Sequence, residues 1–133
     1  MSFKPAGEIE RTEQDWGIFA AVSSPADGAE LIMTVEGTFF PGKGHDFHRH
    51  PNQEEVIYVL EGELEQWVER ERRMLRAGDA VVIPTAAVHA SFNVGDEPAK
   101  ILAILSPCVG DAGYEVEELA AEEPWASLRA GSS

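Results

Sequence analysis

Three of the four histidines in this 133-residue chain lie in two short segments that also contain a suitably spaced glutamate. The first segment reads Gly42-x5-His48-x-His50-x4-Glu55-x6-Gly62, and the second reads Gly78-x5-Pro84-x4-His89-x3-Asn93. A histidine pair at i and i+2 places both imidazoles on one face of an extended strand. Neutral imidazole together with carboxylate suits Zn, Fe, Mn, Ni or Cu better than Ca or Mg. We therefore predict one divalent transition metal per chain, held by His48, His50, Glu55 and His89.

This ligand set favours a reactive metal over a purely structural one. His48 and His50 precede a loop that returns the chain to Glu55, whereas His89 arrives from a separate strand after Pro84. Four ligands drawn from two hairpins leave coordination positions open, as catalytic sites do. The alternative is that the histidine pair lies on a hairpin surface and His89 is a hydrogen-bonded core residue. The joint spacing favours the metal site over that alternative.

Two neighbouring residues require separate interpretation. Glu54 could replace Glu55 as the ligand, but strand parity favours Glu55 because it shares a face with Ile57. His45 lies three residues before His48, so regular alternation predicts that it points to the opposite face. We expect His45 to be an exposed loop histidine rather than a residue that supports a ligand.

The segments that must position these residues are short and rich in β-prone residues. Turn signals such as Pro41-Gly42 and Ala77-Gly78-Asp79 separate them, a pattern typical of an antiparallel sandwich or barrel. Strands are predicted over residues 18–22, 30–40, 55–60, 64–69, 72–75, 80–83, 90–94 and 100–105. No helical period is evident before residue 115. Residues 115–129 are predicted to form a short helix or arm on the barrel, broken near Pro124.

Composition limits the binding partners and the cellular location that we expect. The length is that of one domain with a single core, and the formal net charge of −14 disfavours binding to nucleic acid or anionic membranes. The single cysteine, Cys108, excludes an internal disulfide and fits a reducing compartment. The first residues have no signal-peptide pattern, and no apolar run could span a bilayer. We expect a cytoplasmic protein whose partner is a small-molecule substrate or ligand.

The two segments resemble the paired motifs of the cupin superfamily. The first family pattern, G-x5-H-x-H-x3–4-E-x6-G, is matched in full, and the second, G-x5-P-x-G-x2-H-x3-N, is matched except at Ala86. Cupins usually have glycine at that position, so the turn that contains Ala86 is where this chain differs from the family pattern. The 15 residues between the motifs, 63–77, resemble those of small single-domain microbial cupins.

The resemblance implies an all-β fold, an antiparallel double-sheet jelly-roll barrel with a short C-terminal helix or arm. A single cupin domain is expected over residues 1–133, with motif 1 at 42–62, motif 2 at 78–93 and an acidic arm over 111–133. It further implies a homodimer and a metal inside the barrel near one mouth, with His48, His50, Glu55 and His89 as ligands.

The resemblance to quercetinase-like cupins implies a metal-dependent dioxygenase-type oxidoreductase that acts on a small organic acid, phenol or enediol. Glu55, the only anionic ligand, is expected to act as general base. Two alternatives remain open, a non-catalytic cupin that binds or senses a small molecule or metal, and a metal-dependent isomerase or lyase. Gln53 and Asn93 are expected either to orient a ligand or substrate or to serve only as turn residues.

Overall fold

The computed structural model describes residues 1–130, and they form two antiparallel sheets. The strands are β1 (Thr12–Gln14), β2 (Gly17–Ser23), β3 (Met33–Phe39), β4 (Gly44–Arg49), β5 (Glu54–Glu61), β6 (Glu63–Val68), β7 (Glu71–Arg76), β8 (Ala80–Ile83), β9 (His89–Phe92), β10 (Ala99–Ser106) and β11 (Glu117–Glu118). Two short 3₁₀ turns, Ala6–Glu8 and Pro25–Asp27, and one helix, α1 (Trp125–Leu128), complete the described fold.

The chain alternates between the two sheets, which is the arrangement of a jelly roll. The six-stranded sheet has the order β1-β2-β3-β10-β5-β8, and the five-stranded sheet has the order β11-β4-β9-β6-β7. This confirms the all-β double-sheet fold and the short C-terminal helix. Each predicted strand corresponds to an observed one, and β4 is the extended segment expected to carry the histidine pair, whereas β1 and β11 were not predicted as strands. The last residues of the predicted arm, 131–133, lie outside the described residues.

The main core lies between the two sheets. Its buried members include Met33, Leu64, Ile83, Ile101 and Leu105. The alternating burial of β10 reflects its central position between β3 and β5, because side chains of one parity face the interior. The two sheets also enclose a cavity, and core residues such as Ile101 and Leu105 form part of its wall.

A second apolar cluster lies on the opposite face of the five-stranded sheet. Phe47, Trp67, Val88, Ala90 and Leu119 are buried there, with Trp125 and Leu128 of the C-terminal arm packed over them. The arm thus covers a sheet face that would otherwise expose large aromatic side chains to water. Glu65 is buried beside this cluster, where it accepts hydrogen bonds from Nε1 of Trp67 and from Arg129 of the arm.

Tight turns join these strands, and the three glycines of the motifs, Gly42, Gly62 and Gly78, all have positive φ. At Gly62 space is also short, because a Cβ would lie 2.7 Å from the carbonyl oxygen of Pro98. A side chain there would push apart the strands that carry the site. No helix among residues 1–130 is long and apolar enough to cross a membrane.

Candidate metal centre

The structure brings the three predicted histidine ligands together inside the barrel. His48 lies on β4 directly opposite His89 on β9, and His50 follows one residue after β4 ends. One ring nitrogen from each of the three lies within 4.8 Å of those of the other two. All three side chains are buried, so this cluster is removed from bulk water.

Glu55 completes the cluster from the other sheet. Its Oε1 lies 2.9 Å from Nε2 of His89 and 3.2 Å from Nε2 of His50. The adjacent Glu54 is exposed while Glu55 is 5% exposed, in the arrangement that strand parity predicts. The two sheets therefore each contribute to one four-residue constellation.

Backbone carbonyls orient all three imidazoles in the same way. Nδ1 of His48 donates to the carbonyl of Asp46 (2.7 Å), Nδ1 of His50 to that of Glu115 (2.6 Å), and Nδ1 of His89 to that of Ala87 (3.0 Å). A carbonyl can only accept, so each Nδ1 carries the hydrogen and each neutral ring keeps a bare Nε2. This arrangement is the one that metal-ligating histidines usually show.

The donor set therefore fits a cation. Oε1 of Glu55 and Nε2 of His89 are fully buried, and neither makes a hydrogen bond within the described part of the chain. Two buried acceptors that face each other at 2.9 Å are costly unless a proton or a metal ion compensates them. Three imidazoles and one carboxylate would neutralise one of the two charges of a divalent ion.

The pKa values describe the same electrostatics. Burial, followed by repulsion from His45 and His89, lowers the pKa of His48 to about 2, so this ring is neutral at physiological pH. Burial opposes ionisation of Glu55, but its contacts with His50 and His89 prevail and lower its pKa to about 2. Burial likewise disfavours the charged form of His50, yet the Glu55 carboxylate outweighs it and the pKa of His50 is raised.

A cavity of about 410 Å³ opens in front of these four residues. Its walls are mostly apolar or aromatic, and they include Trp16, Phe19, Val35, Phe39, Ile57, Ile101, Ala103, Leu105, Tyr114 and Val116. No lysine or arginine of residues 1–130 lines it. A cavity of this size and polarity suits a small organic molecule with an apolar body.

The prediction that His45 faces away from His48 was wrong, although its side chain is 40% exposed as expected. Instead of facing away, its ring stacks on that of His48 with centroids 3.5 Å apart and an interplanar angle of 5°, and it lines the cavity. The pairing of β4 with β9 shifts register between His45 and His48, since three residue steps on β4 match two on β9. This β-bulge breaks the alternation on which the prediction depended.

The two predicted orienting residues differ in what they do. Gln53 is buried, donates to the carbonyls of Pro107 and Gly113, and accepts from the backbone N–H of Glu115, whose carbonyl holds His50. Asn93 instead donates to the carbonyls of Phe39 and Glu97, and so acts as a turn residue.

Sequence reasoning missed the contribution of the C-terminal segment. Tyr114, Val116 and Glu118 line the cavity, and the carbonyl of Glu115 orients His50 from 65 residues away along the chain. β11 pairs with β4, with Glu118 opposite His48, so this segment forms one wall of the site. No local pattern could have found it, because the contact is made only in the folded chain.

Comparison with known proteins agrees with the fold. The family profile described as "Cupin domain" matches residues 35–105. The chain is 43% identical over 101 residues to "Polyketide synthase CurC" of Streptomyces cyaneus, covering 75% of this chain and 66% of CurC. It is 28% identical over 89 residues to "Quercetin 2,3-dioxygenase" of Bacillus subtilis, covering 65% of this chain and 25% of that enzyme.

A solved structure shows the same architecture. The oxalate decarboxylase of Lactobacillus farciminis, in its formate complex, superposes with a TM-score of 0.75 at 26% identity, covering 86% of this chain and 35% of that one. The matched part of this chain spans just under two thirds of CurC and much less of the two named enzymes. The motifs, the double-sheet fold and the family match agree, and the chain belongs to the cupin family.

Proposed function

We propose that this protein is a metal-dependent oxidoreductase of the dioxygenase type that acts on a small organic substrate with a phenol or enediol oxygen. The observation that carries the proposal is the buried Glu55 carboxylate, which faces Nε2 of His50 and Nε2 of His89 in the wall of a mostly apolar cavity. His48, His50, Glu55 and His89 would hold the ion. A bound divalent transition ion supplies Lewis acidity and, where it is redox-active, the electron transfer that reaction with dioxygen requires.

The residues of the chain would perform three tasks around that ion. The carbonyls of Asp46, Ala87 and Glu115 fix the imidazole orientation, so no reorganisation is needed when substrate arrives. The apolar walls exclude water and bind the carbon skeleton of the substrate. Glu55 would accept the proton of the substrate hydroxyl, because its carboxylate lies within 3.2 Å of the ring nitrogens of both His50 and His89.

The named relatives support this class of substrate. Polyketides, the products that the name of CurC implies, contain enol and phenol oxygens, and quercetin is a polyphenol. The cavity has no lysine or arginine among its described lining residues, which disfavours a small dicarboxylate such as oxalate. The acidic chain as a whole also repels anions.

The test combines an oxygen electrode with product analysis. Protein loaded separately with Fe, Mn, Ni, Cu or Zn is offered a panel of phenols, enediols and small organic acids. We expect oxygen uptake and product in equal amounts with at least one phenol or enediol. Product without oxygen uptake would instead identify an isomerase or lyase, and binding without any product would identify a non-catalytic binding protein.

A pair of variants tests the role of Glu55 within the same assay. Glu55→Gln removes the proton acceptor, whereas Glu54→Gln changes the exposed neighbour on the same strand. Turnover should be lost only in the first variant. Equal turnover in both variants would contradict the proposed base.

A further inference from the structure

His45 and Glu118 form a polar pair in the wall of the cavity. Nε2 of His45 lies 3.1 Å from Oε1 of Glu118, and both residues line the space in front of the metal centre. Apart from this pair, the four proposed ligands, Ser91 and the hydroxyl of Tyr114, the rest of the described lining is apolar or aromatic. The hydroxyl of Ser91 already donates to Oε1 of Gln66 (2.6 Å). Beyond the ligands, the pair and the Tyr114 hydroxyl are therefore the polar groups of the described lining that a substrate can reach, and of these the pair lies beside His48.

The strand that carries His45 is shaped to place it there. An extra residue between His45 and His48 produces the bulge in β4, and both rings consequently share the inner face. The two rings lie parallel with centroids 3.5 Å apart. His45 is therefore close enough to the metal centre to contact a substrate atom next to the one that binds the metal. This position is close to the reacting end of a substrate.

Hydrogen-bonding capacity defines what His45 can recognise. The carboxylate of Glu118 only accepts, so Nε2 of His45 carries a hydrogen and donates it. In the neutral ring Nδ1 is then a bare acceptor, and it has no partner among residues 1–130. An acceptor of this kind pairs with a hydroxyl group and gains nothing from a hydrogen-free substituent.

We propose that His45, held in place by Glu118, accepts a hydrogen bond from a second hydroxyl of the substrate. That hydroxyl would neighbour the oxygen that faces the three imidazoles. His45 thereby selects catechol- or enediol-type compounds over compounds with one hydroxyl. This inference rests on the proposed function, because it requires the first oxygen to be directed to the metal centre. In it His45 is a substrate-binding residue and Glu118 a positioning residue.

The test compares two coloured probes, 4-nitrocatechol and 4-nitrophenol, which differ by one adjacent hydroxyl. Each is titrated against zinc-loaded protein, and the dissociation constant is read from the visible absorbance of the probe. The readout is the ratio of the two dissociation constants, which a general loss of folding or metal does not change selectively. Zinc content and the thermal unfolding of each variant are measured alongside.

Three variants and one control isolate the pair. His45→Phe keeps a flat ring next to His48 but removes the acceptor, and should reduce the preference for the catechol about tenfold. Glu118→Ala frees the ring to rotate and should reduce it by a smaller factor, while His45→Gln should retain part of it. Glu117→Gln, on the same strand but paired with Arg49, should leave the preference unchanged.

The outcomes separate this inference from the proposed function. If the wild-type protein binds both probes and the ratio is unchanged in His45→Phe and Glu118→Ala, the hydrogen bond does not exist, as when both hydroxyls bind the metal. If zinc-loaded wild-type protein binds neither probe, the proposed function fails and this inference fails with it. Should His45→Phe not fold, Glu118→Ala alone decides, since Glu118 is exposed and its removal leaves no buried gap.

Discussion

Oε1 of Glu55 lies 2.9 Å from Nε2 of His89, and these are the two buried side-chain polar atoms of residues 1–130 without a hydrogen-bond partner. Nδ1 of His89 already donates to the carbonyl of Ala87, so Nε2 is an acceptor in the neutral ring. Two buried acceptors on different sheets are thus held against each other. A metal ion held by both residues would relieve this unfavourable contact.

Replacing Glu55 should separate metal binding from catalysis. In Glu55→Gln the three imidazoles remain, so we expect the variant to retain much of its metal at micromolar metal concentrations. Turnover should fall by at least about 100-fold, because the proton acceptor is gone. Steady-state rates and metal content measured on the same samples check both parts, with Glu54→Gln as the matched control. Full activity in Glu55→Gln would exclude the base role.

Metal affinity should rise with pH through the neutral range. The pKa of His50 is raised, so in the metal-free protein this ring keeps a proton above pH 6.5 that a metal ion must displace. Glu55 and His48, whose pKa values are both about 2, need not lose a proton in this range. Titration calorimetry in buffers of different ionisation enthalpy should therefore detect proton release on binding. In Glu55→Gln the pKa of His50 should fall and the release should shift to lower pH.

The same pKa shifts determine how the stability of the metal-free protein changes with pH. The raised pKa of His50 stabilises the fold below its unfolded value of 6.5 and loses this contribution as the pH rises through the folded value. The lowered pKa of Glu55 stabilises the fold above 4.5 and loses this contribution as the pH falls towards 2. This pair is therefore most stabilising between these limits. Melting curves of chelator-treated protein that show no such maximum relative to Glu55→Gln would contradict the assignment.

Gln53 should control His50 through the C-terminal segment. Gln53→Leu leaves two buried carbonyls and the N–H of Glu115 without their partner, at a cost of about 3 kcal/mol in the free energy of unfolding. It also releases the carbonyl that orients His50, so metal affinity should fall about 10- to 100-fold. Denaturant unfolding and metal titration measure the two effects. Asn52→Ala, which removes an exposed contact to the Glu115 carboxylate, should change stability by less than about 0.5 kcal/mol.

Ala86 should be a site where glycine stabilises the protein. Its φ of 66° lies in the left-handed region, which costs a residue with a Cβ about 1–2 kcal/mol. Its N–H donates to the carbonyl of His50 (3.2 Å), so the turn before His89 is tied to the loop after β4. Ala86→Gly should raise the free energy of unfolding by about 1 kcal/mol after the entropy cost of glycine. Ala87→Gly, without positive φ, should lower it, and a lowered value for both would contradict the strain at Ala86.

Much of the fold and of the ligand set could be predicted because local spacing carries that information. The interval between His48 and His50 and the parity of Glu55 depend only on extended backbone. Turn glycines with positive φ mark the strand ends in the sequence itself. The departure at Ala86 coincides with a positive φ that glycine would adopt without strain.

The rest depends on contacts that no local pattern encodes. The bulge in β4 arises because the pairing of β4 with β9 shifts register between His45 and His48. The bulge places His45 on the inner face of the strand. The wall formed by Tyr114 and Val116 depends on the arm, which is anchored by Trp125 over Phe47. The predicted homodimer and cytoplasmic location stay predictions, and sedimentation analysis would measure the first.

Elemental analysis tests the central claim most directly. Protein purified without chelators or nickel resin is assayed for transition metals, and then offered each divalent ion in turn after chelation. We predict one ion per chain, lost on combined substitution of His48 and His89 by alanine while the β-sheet spectrum is retained. Protein that is empty on purification and binds none of the ions offered would contradict the account.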